Sequence, residues 1–218
     1  MRIFTKHFKP LQLALLVALM FSFTMLNAQT LQHEQNSNKA GLSLKQETTS
    51  GIKAKFSISG FQLVDQEIEG ETLKEIRVAN AFLPNNEGAP NVPGFSRFVA
   101  VPQGATASLI VTSYNIETIP NVELAPSPRI PFDNEDGPMD YSKDLKIYEN
   151  DAFYPANPFQ LSAPTQLRGV DAVMLGITPF QYNPITKELL VYRDVEMEVV
   201  FEGGNGHFGE DRLRSMWF

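Results

Sequence analysis

The 218-residue chain contains no cysteine and only three histidines. The absence of cysteine excludes disulfide bridges, thiolate metal sites and a cysteine nucleophile within this sequence. The histidines are no better placed for catalysis, because His7 lies in the N-terminal segment and His33 and His207 lie in polar or glycine-rich stretches near the two ends. A serine-histidine-aspartate centre would have to be built from these terminal residues. We therefore expect no catalytic residue, no metal site and no cofactor in this chain.

The first 28 residues resemble a signal peptide. Three basic side chains precede an apolar run from Leu11 to Met25, which has signal-peptide length and is short for a transmembrane helix. The alternative, an uncleaved membrane anchor, fits less well because Ser22 and Thr24 interrupt the run. A small-residue site at the end of the segment predicts cleavage between Ala28 and Gln29. We expect an exported protein that is periplasmic, on the cell surface or extracellular, with no membrane attachment in its mature form.

Positive charge is scarce in the remaining sequence. The chain has 18 basic and 25 acidic residues, and removal of residues 1–28 leaves 15 basic against 25 acidic residues, a net charge of −10. An acidic exported protein is a poor candidate for binding nucleic acid or an anionic membrane surface. An ordinary solvated surface explains the acidity more simply than attraction to a basic partner.

From Ile52 onward, apolar and polar residues alternate with the period of two that is typical of half-buried β-strands. A hairpin is predicted around Gly70, and a long strand from Thr106 to Ile119. The clearest amphipathic strand runs from Glu188 to Glu202, with one apolar face that only Arg193 interrupts. Many short strands joined by Pro and Gly turns predict an all-β fold, an antiparallel β-sandwich or an open barrel.

The composition divides the chain into four parts. Residues 1–28 are the predicted signal peptide, and the polar residues 29–51 are expected to form a flexible leader. Residues 52–202 form the predicted β domain. Residues 203–218 are expected to be a linker, Gly203–Gly206, and the truncated start of a following region, because the sequence ends on Met216, Trp217 and Phe218 shortly after the glycines.

The stretch from Gly88 to Val111 is the most informative part of the sequence. Four turn-forming residues crowd into its first seven positions, which predicts an irregular connection. A strand from Arg97 to Val101 follows and stops at Pro102, and the Pro102–Gly104 turn leads to the strand that begins at Thr106. The simplest interpretation is a loop followed by a β-hairpin.

Two blocks of this sequence resemble the propeptide of gingipain-type cysteine peptidases. The first block consists of spaced turn and strand residues: Gly88, Pro90, Pro93, Arg97, Pro102, Gly104 and Ala105. The second block runs from Val173 to Glu202 and contains Pro179–Pro184 followed by Leu189–Tyr192. The resemblance covers residues 52–202. It implies a non-catalytic prodomain that aids folding of a peptidase catalytic domain and keeps it latent, with that domain as partner in cis or in trans. No catalytic His or Cys follows in this sequence, so the chain would be a truncated precursor or a stand-alone propeptide-like protein.

The resemblance also directs attention to basic residues, because gingipain-type propeptides place one from a loop into the specificity pocket of the enzyme. Arg129 lies in the proline-rich segment Ala125–Pro131, which favours stiff, extended backbone. It is the first inhibitory candidate, with Lys143 and Lys146 second. An ordinary exposed arginine is the competing interpretation. Arg212 and Arg214 follow the glycine-rich stretch and are candidate processing sites, at which cleavage would release an active enzyme.

The sequence is also compatible with calcium binding and with a role in adhesion or glycan binding. The acidic stretch with Asp133, Glu135, Asp136, Asp140 and Asp144 could hold calcium, but its spacing does not match an EF-hand loop, and a solvated acidic loop is the simpler interpretation. A cell-surface β-sandwich module for adhesion or glycan binding is the alternative function. The single tryptophan, Trp217, is terminal and counts against a glycan-stacking platform.

Overall fold

The fold is built almost entirely from antiparallel strands. A computed structural model of the chain describes residues 29–32, 41–134 and 137–209. The strands are β1 (Gln29–Gln32), β2 (Gly41–Thr48), β3 (Gly51–Ser57), β4 (Gly60–Ile68), β5 (Glu71–Arg77), β6 (Phe95–Ala100), β7 (Ala105–Ile119), β8 (Phe159–Leu161), β9 (Thr165–Leu167), β10 (Val170–Ile177), β11 (Phe180–Asn183) and β12 (Glu188–Gly203), and the helix is α1 (Leu145–Tyr148).

The strands form three sheets. The first has the order β1-β4-β5; the second has the order β6-β10-β8, with β9 also paired to β10; the third has the order β11-β12-β3-β2, with β7 also paired to β12. Every strand pair is antiparallel. In the described part of the chain the sheets do not close into a barrel, and the prediction of an antiparallel all-β fold is confirmed.

The larger of two apolar clusters among the described residues lies between the sheets. The predicted amphipathic face of β12 is confirmed, since Leu189, Val191, Val195, Met197, Val199 and Phe201 are all buried. Aromatic pairs join different sheets: the ring centroids of Phe56 and Phe95 are 5.0 Å apart, and those of Phe61 and Phe180 are 5.1 Å apart. Each fully buried Phe stabilises the fold by about 2–3 kcal/mol, which suits a protein without disulfides.

The predicted hairpin between the two strands of the Gly88–Val111 stretch is wrong. Strand β6 pairs with β10, and β7 pairs with β12 in another sheet. The turn itself is present, since the Ala105 N–H donates to the Pro102 carbonyl at 3.0 Å and Gly104 adopts a φ of +72°. It carries the chain from one sheet to the other. A tight turn is needed in both arrangements, so the turn residues could not distinguish them.

The structure also corrects the predicted leader, residues 29–51. Strand β1 pairs with β4, and β2 pairs with β3 through a β-bulge between Leu44 and Gln46. Strand β2 is exposed beyond its first two residues. Backbone hydrogen bonds on a sheet edge hold it in place, and such an edge requires little apolar sequence. Polarity alone therefore wrongly indicated a segment without regular structure.

Residues Leu145–Tyr148 form α1, a single helical turn capped by the Asp144 carboxylate, which accepts from the Lys146 N–H at 3.0 Å. The first residue of the predicted linker Gly203–Gly206 is the last residue of β12, and the Asn205 N–H within the linker donates to the Gln103 carbonyl. The hairpin predicted around Gly70 is confirmed as β4 and β5.

Arg193, the polar residue on the apolar face of β12, is buried and forms an ion pair with the partly exposed Glu117. Its side chain is 5% exposed, and its Nη2 lies 2.7 Å from the Glu117 carboxylate of β7. Its Nη1 donates to the Ile58 carbonyl at 3.1 Å, and the guanidinium lies 5.6 Å from the centroid of the Phe61 ring. One side chain therefore joins β12, β7 and the connection between β3 and β4, at a point where the β12–β7 register shifts.

We predict that Arg193→Ala lowers the free energy of unfolding by about 3 kcal/mol, because it leaves a carboxylate and a buried carbonyl without their partner. Equilibrium denaturation with urea measures this change. The matched control is Lys53→Ala, which breaks the more exposed 3.9 Å pair between Lys53 and Glu198 and should change stability by at most about 1 kcal/mol. Equal effects of the two substitutions would contradict the structural role of Arg193.

Candidate functional site

The segment after β7 forms a long loop anchored at its base to the edge of β5. We call residues 125–144 the Arg129 loop; residues 135 and 136 within it lie outside the described part of the structure. Just before it, the Lys74 N–H donates to the Glu123 carbonyl at 2.7 Å, and the Ala125 N–H donates back to the Lys74 carbonyl at 2.9 Å. Leu124 and Ala125 are buried. The loop therefore leaves from a fixed base on the β-sheet.

The Gly- and Pro-rich stretch at residues 86–91 supports the first part of the loop. The Ser127 N–H donates to the Ala89 carbonyl at 2.7 Å, the Gly88 N–H to the Ser127 carbonyl at 2.9 Å, and the Asn91 N–H to the Ala125 carbonyl at 3.0 Å. These bonds form a short irregular ladder in which Ala89 is buried. The stretch is irregular, as predicted, and it braces the Arg129 loop.

Gly88 also fixes the end of the loop. It has a φ of +73°, and a Cβ at this position would lie 2.9 Å from the Asp144 backbone nitrogen. The Asp144 N–H donates to the Gly88 carbonyl at 2.9 Å. Only glycine combines this backbone conformation with so close an approach. Gly88 thus holds both ends of the Arg129 loop, through Ser127 on one side and Asp144 on the other.

Arg129 lies where the loop doubles back on itself. Its N–H donates to the Asp140 carbonyl at 2.8 Å, and the two residues form an isolated antiparallel bridge. The Asp140 carboxylate accepts hydrogen bonds from the Ser142 hydroxyl at 2.6 Å and from the Ser142 N–H at 2.9 Å. These bonds lower the pKa of Asp140, and the charge of Arg129 lowers it further by a smaller amount. Arg129 is half-buried, whereas the neighbouring Ile130 and Phe132 are 59% and 71% exposed.

The two candidate lysines lie on the return side of the loop. Lys143 Nζ lies 3.2 Å from the Glu71 carboxylate, at the start of β5, and 5.7 Å from the centroid of the Tyr148 ring. Lys146 is exposed on α1. The structure therefore brings Lys143 against the hairpin of β4 and β5, and places Arg129 at the bridge beside the exposed apolar residues.

Two tyrosines that the sequence did not single out hold the base of the loop. The Tyr148 hydroxyl donates to the Leu124 carbonyl at 3.2 Å, and the Tyr182 hydroxyl donates to the Val122 carbonyl at 3.0 Å. Burial raises the pKa of both phenols. The only sequence signal for Tyr148 was its position one helical turn after Asp144, a residue type that caps helices.

An ion pair between Glu123 and Lys187 fastens the same base to the turn between β11 and β12. The hydrogen bond and charge of Lys187 lower the pKa of Glu123, and Glu123 in turn raises the pKa of Lys187. The Val122 N–H also donates to the Lys187 carbonyl at 2.9 Å. The segment that enters the Arg129 loop is thus held on two sides, by β5 and by this turn.

The acidic residues of the loop have local structural roles. Asp140 bonds to Ser142, and Asp144 caps α1. Across residues 29–32, 41–134 and 137–209, no group of three or more His, Cys, Asp or Glu side chains could hold a metal ion. Glu135 and Asp136 lie outside those ranges. Within the same ranges, no helix is long and apolar enough to span a membrane.

The predicted cleavage sites lie at the margins of the described structure. Gln29 is the first residue of β1, while Ala28 precedes the described residues. Arg212 and Arg214 follow Gly209, the last described residue. Their surroundings are therefore not part of the site geometry, and both cleavage sites stay predictions.

Comparison with known proteins agrees with the resemblance of the two sequence blocks. A model of the Propeptide_C25 family matches residues 29–210. The chain belongs to the Propeptide_C25 family. The match includes the residues of β1 and β2.

The curated relatives are gingipains of Porphyromonas gingivalis. The chain is 28% identical to Lys-gingipain over 158 residues, which are 70% of this chain and 9% of that protein. It is 27% identical to Gingipain R2 over 175 residues, which are 79% of this chain and 23% of that protein. The Propeptide_C25 chain therefore spans less than a quarter of the length of these relatives.

Solved structures share the fold. One is titled a complex of Porphyromonas gingivalis RgpB pro- and mature domains, with a TM-score of 0.69 and 24% identity over 78% of this chain and 87% of that one. Another concerns zymogenic latency of gingipain K, with a TM-score of 0.68 and 24% identity over 81% of this chain and 100% of that one. The Propeptide_C25 chain thus shares the antiparallel all-β fold of these matches.

We predict that Tyr148→Phe reduces the loss of stability in alkaline solution. Burial keeps the pKa of Tyr148 above the ordinary value of 10.0, so the protonated phenol stabilises the fold below pH 10 and this stabilisation is lost as the pH rises above it. At neutral pH the variant should be less stable by about 1 kcal/mol, because the Leu124 carbonyl loses its donor.

Denaturation curves between neutral and strongly alkaline pH provide the measurement. Tyr114→Phe is the control, because the Tyr114 side chain is 50% exposed on β7. Identical alkaline profiles for the wild-type chain and Tyr148→Phe would contradict the role given to this phenol.

Proposed function

We propose that this chain is the prodomain of an exported gingipain-type cysteine peptidase. It assists folding of the catalytic domain and keeps that domain latent by occupying its active site until processing. Membership of the Propeptide_C25 family supports the prodomain role. The observation that carries the inhibitory role is the geometry of the Arg129 loop, which bears a basic residue on a frame braced at both ends.

Arg129 is the residue we assign to the specificity pocket of the peptidase. The Ser127 N–H is fixed by the Ala89 carbonyl on one side, and the Arg129 N–H by the Asp140 carbonyl on the other. Prolines at positions 128 and 131 further restrict the backbone. A loop that is ordered before binding loses less conformational entropy when it binds, so a single basic side chain can contribute more of its contact energy to affinity.

The same bracing explains how such a loop resists cleavage. A substrate is released when the two new chain ends separate. Here the chain before the Arg129–Ile130 bond is held by residues 88–91 and by the bond from the Arg129 N–H to Asp140, and the chain after it returns to Gly88 through the Asp144 N–H. The ends would stay at high effective concentration, which favours rejoining of the bond over escape of the product. A substrate-like segment therefore acts as an inhibitor.

Lys143 and Lys146 stay secondary candidates. Lys143 would have to exchange its ion pair with Glu71 and its contact with Tyr148 for a pocket in the enzyme. Lys146 is exposed, but it projects from the helical turn α1, and a helical segment does not offer the extended backbone that a peptidase cleft binds.

Processing would end latency. We propose cleavage after Arg212 or Arg214. The prodomain would then be held to the catalytic domain by non-covalent contacts alone. An attached inhibitor acts at high effective concentration, so cutting the connection weakens inhibition. Removal of the signal peptide between Ala28 and Gln29 would precede this step and leave β1 at the new N terminus.

We predict that the purified chain inhibits a gingipain-type catalytic domain stoichiometrically and that Arg129→Ala weakens the inhibition about tenfold or more, as loss of a central anchor does. Titration of peptidase activity with the wild-type and variant chains measures the effect. Lys143→Ala on the same loop and Lys146→Ala on the adjoining α1 are the controls, and each should change inhibition by less than about threefold.

Different outcomes separate the parts of this proposal. Unchanged inhibition by Arg129→Ala, with weaker inhibition by Lys143→Ala or Lys146→Ala, would move the role to that lysine and leave the prodomain function intact. Absence of inhibition by the wild-type chain would contradict the latency role. Refolding of the denatured catalytic domain with and without the chain tests the chaperone role, and an equal yield of active enzyme would contradict it.

A further inference from the structure

The return side of the Arg129 loop packs on the hairpin of β4 and β5 through an aromatic side chain. Tyr141 lies against a small apolar cluster in which Ile68, Leu73 and Ala125 are buried. This cluster is separate from the larger one between the sheets. Ile68 is the last residue of β4 and Leu73 lies in β5, so the ring contacts the hairpin beside its turn. We call these four residues the loop seat.

The loop seat joins both limbs of the Arg129 loop. Ala125 is the first residue of the loop, and its N–H is fixed to β5 by the bond to the Lys74 carbonyl. Tyr141 lies on the returning limb, and its hydroxyl accepts a hydrogen bond from the Gln66 side-chain amide of β4 at 3.3 Å. The two limbs therefore meet on the surface of the hairpin, and their contact closes the loop.

Tyr141 directly follows the residue that holds Arg129. The Asp140 carbonyl accepts from the Arg129 N–H at 2.8 Å, and this carbonyl belongs to the rigid, planar peptide between Asp140 and Tyr141. Packing of the Tyr141 ring on the loop seat therefore restricts where the Asp140 carbonyl lies. The next attachment on this limb is the exposed ion pair between Lys143 and Glu71, and exposed pairs contribute little.

The position of this limb matters because a peptidase that binds Arg129 can attack the bond after it. The sulfur of the catalytic cysteine bonds to the Arg129 carbonyl carbon, the Arg129–Ile130 bond breaks, and the Ile130 nitrogen takes up a proton. If the Ile130 amine stays in place, it attacks the thioester, restores the peptide bond and frees the thiol. If the amine moves away, water hydrolyses the thioester and the loop becomes a product.

We propose that Tyr141 is a positioning residue that makes the Arg129 loop an inhibitor of the peptidase rather than a substrate. The proposal rests on the proposed function of the loop. With its ring on the loop seat, Tyr141 attaches the chain after Ile130 to the hairpin and keeps Asp140 beside Arg129. The new amine then stays near the thioester at high effective concentration. Without the ring this attachment is lost, and water has time to hydrolyse the thioester.

A timed inhibition experiment with Tyr141→Ala tests the proposal. Each chain is mixed with a gingipain-type catalytic domain, peptidase activity is followed over hours, and the chain is analysed by mass spectrometry. We expect Tyr141→Ala to inhibit at first as strongly as the wild type, because Arg129 is unchanged. Activity should then return, with cleavage after Arg129 at least about tenfold faster than in the wild type.

Three variants serve as controls. Tyr141→Phe keeps the ring on the loop seat and loses only the 3.3 Å bond from Gln66, so it should inhibit persistently. Tyr114→Ala removes a ring that is 50% exposed on β7, and it should inhibit persistently too. Arg193→Ala weakens the larger core and leaves the loop seat intact. Its cleavage after Arg129 should stay as slow as in the wild type at a temperature at which the variant is folded.

Hydrogen exchange of the free chain gives a readout that needs no peptidase. The Arg129 N–H is protected by its bond to the Asp140 carbonyl, and it should exchange several-fold faster in Tyr141→Ala but at the wild-type rate in Tyr141→Phe. The Lys74 N–H, which donates to the Glu123 carbonyl before the loop, is the internal control and should exchange at the same rate in all three chains.

The outcomes separate the parts of the proposal. Unchanged exchange of the Arg129 N–H in Tyr141→Ala would overturn the positioning role. Faster exchange without faster cleavage would overturn the claim that the loop seat distinguishes inhibitor from substrate. Equally fast cleavage of Tyr141→Ala and Arg193→Ala would assign the cleavage to lost stability and also overturn the proposal. A wild-type chain that never inhibits would contradict the proposed function, and the exchange rates would still decide whether Tyr141 positions the loop.

Discussion

The pairing of β12 along both of its edges is the constraint on which the rest of the structure depends. One edge bonds to β7 from Leu189 to Gly203, and the other bonds to β11 and β3. Its inner face supplies six apolar side chains to the core, and a one-residue slip of its register would turn that face to solvent. Arg193 adds an ion pair and a carbonyl bond that fit a single register. The ends of β7 and β12, and thus the points from which the functional segments leave, are fixed by this pairing.

The functional segments are placed by that frame and then braced separately. Strand β7 ends at Ile119 opposite Leu189, and the next residues are held by β5, Tyr148, Tyr182 and Lys187 before the Arg129 loop begins. At the opposite end of β12, the chain bonds to Gln103 in the turn between β6 and β7. The loop assigned to inhibition therefore leaves from the end of β7, beside the start of β12, whereas the segment assigned to processing follows the last residue of β12. Latency and its release would be carried by different parts of the domain.

The sequence predicted what depends on local periodicity and missed what depends on distant partners. The inner face of β12 and the β4–β5 hairpin were predictable, because a half-buried strand alternates in polarity and a tight turn has its own residues. The separation of β6 from β7 was not, because the Pro102–Gly104 turn serves a hairpin and a sheet crossing equally well. Strand β2 was missed because a polar edge strand is held by backbone bonds that leave no apolar pattern. The proposal of Arg129 came from its proline-rich setting and the family resemblance. The supports from Gly88 and Tyr148 join residues about 40 and 24 positions apart and have no local signature.

The most direct measurement of the central claim uses the absence of cysteine in this chain. The variant Arg129→Cys would carry a single thiol, and a disulfide forms only between cysteines whose Cβ atoms approach within about 4.5 Å. The variant is incubated with a gingipain-type catalytic domain under mild oxidation, and the mixed disulfide with its catalytic cysteine is identified by peptide mass spectrometry. The account predicts this adduct for Arg129→Cys and none for Ile185→Cys, an exposed turn position on the same domain. Adduct formation at equal levels for both variants, or at neither position in a complex that still inhibits, would contradict the claim that residue 129 enters the active site.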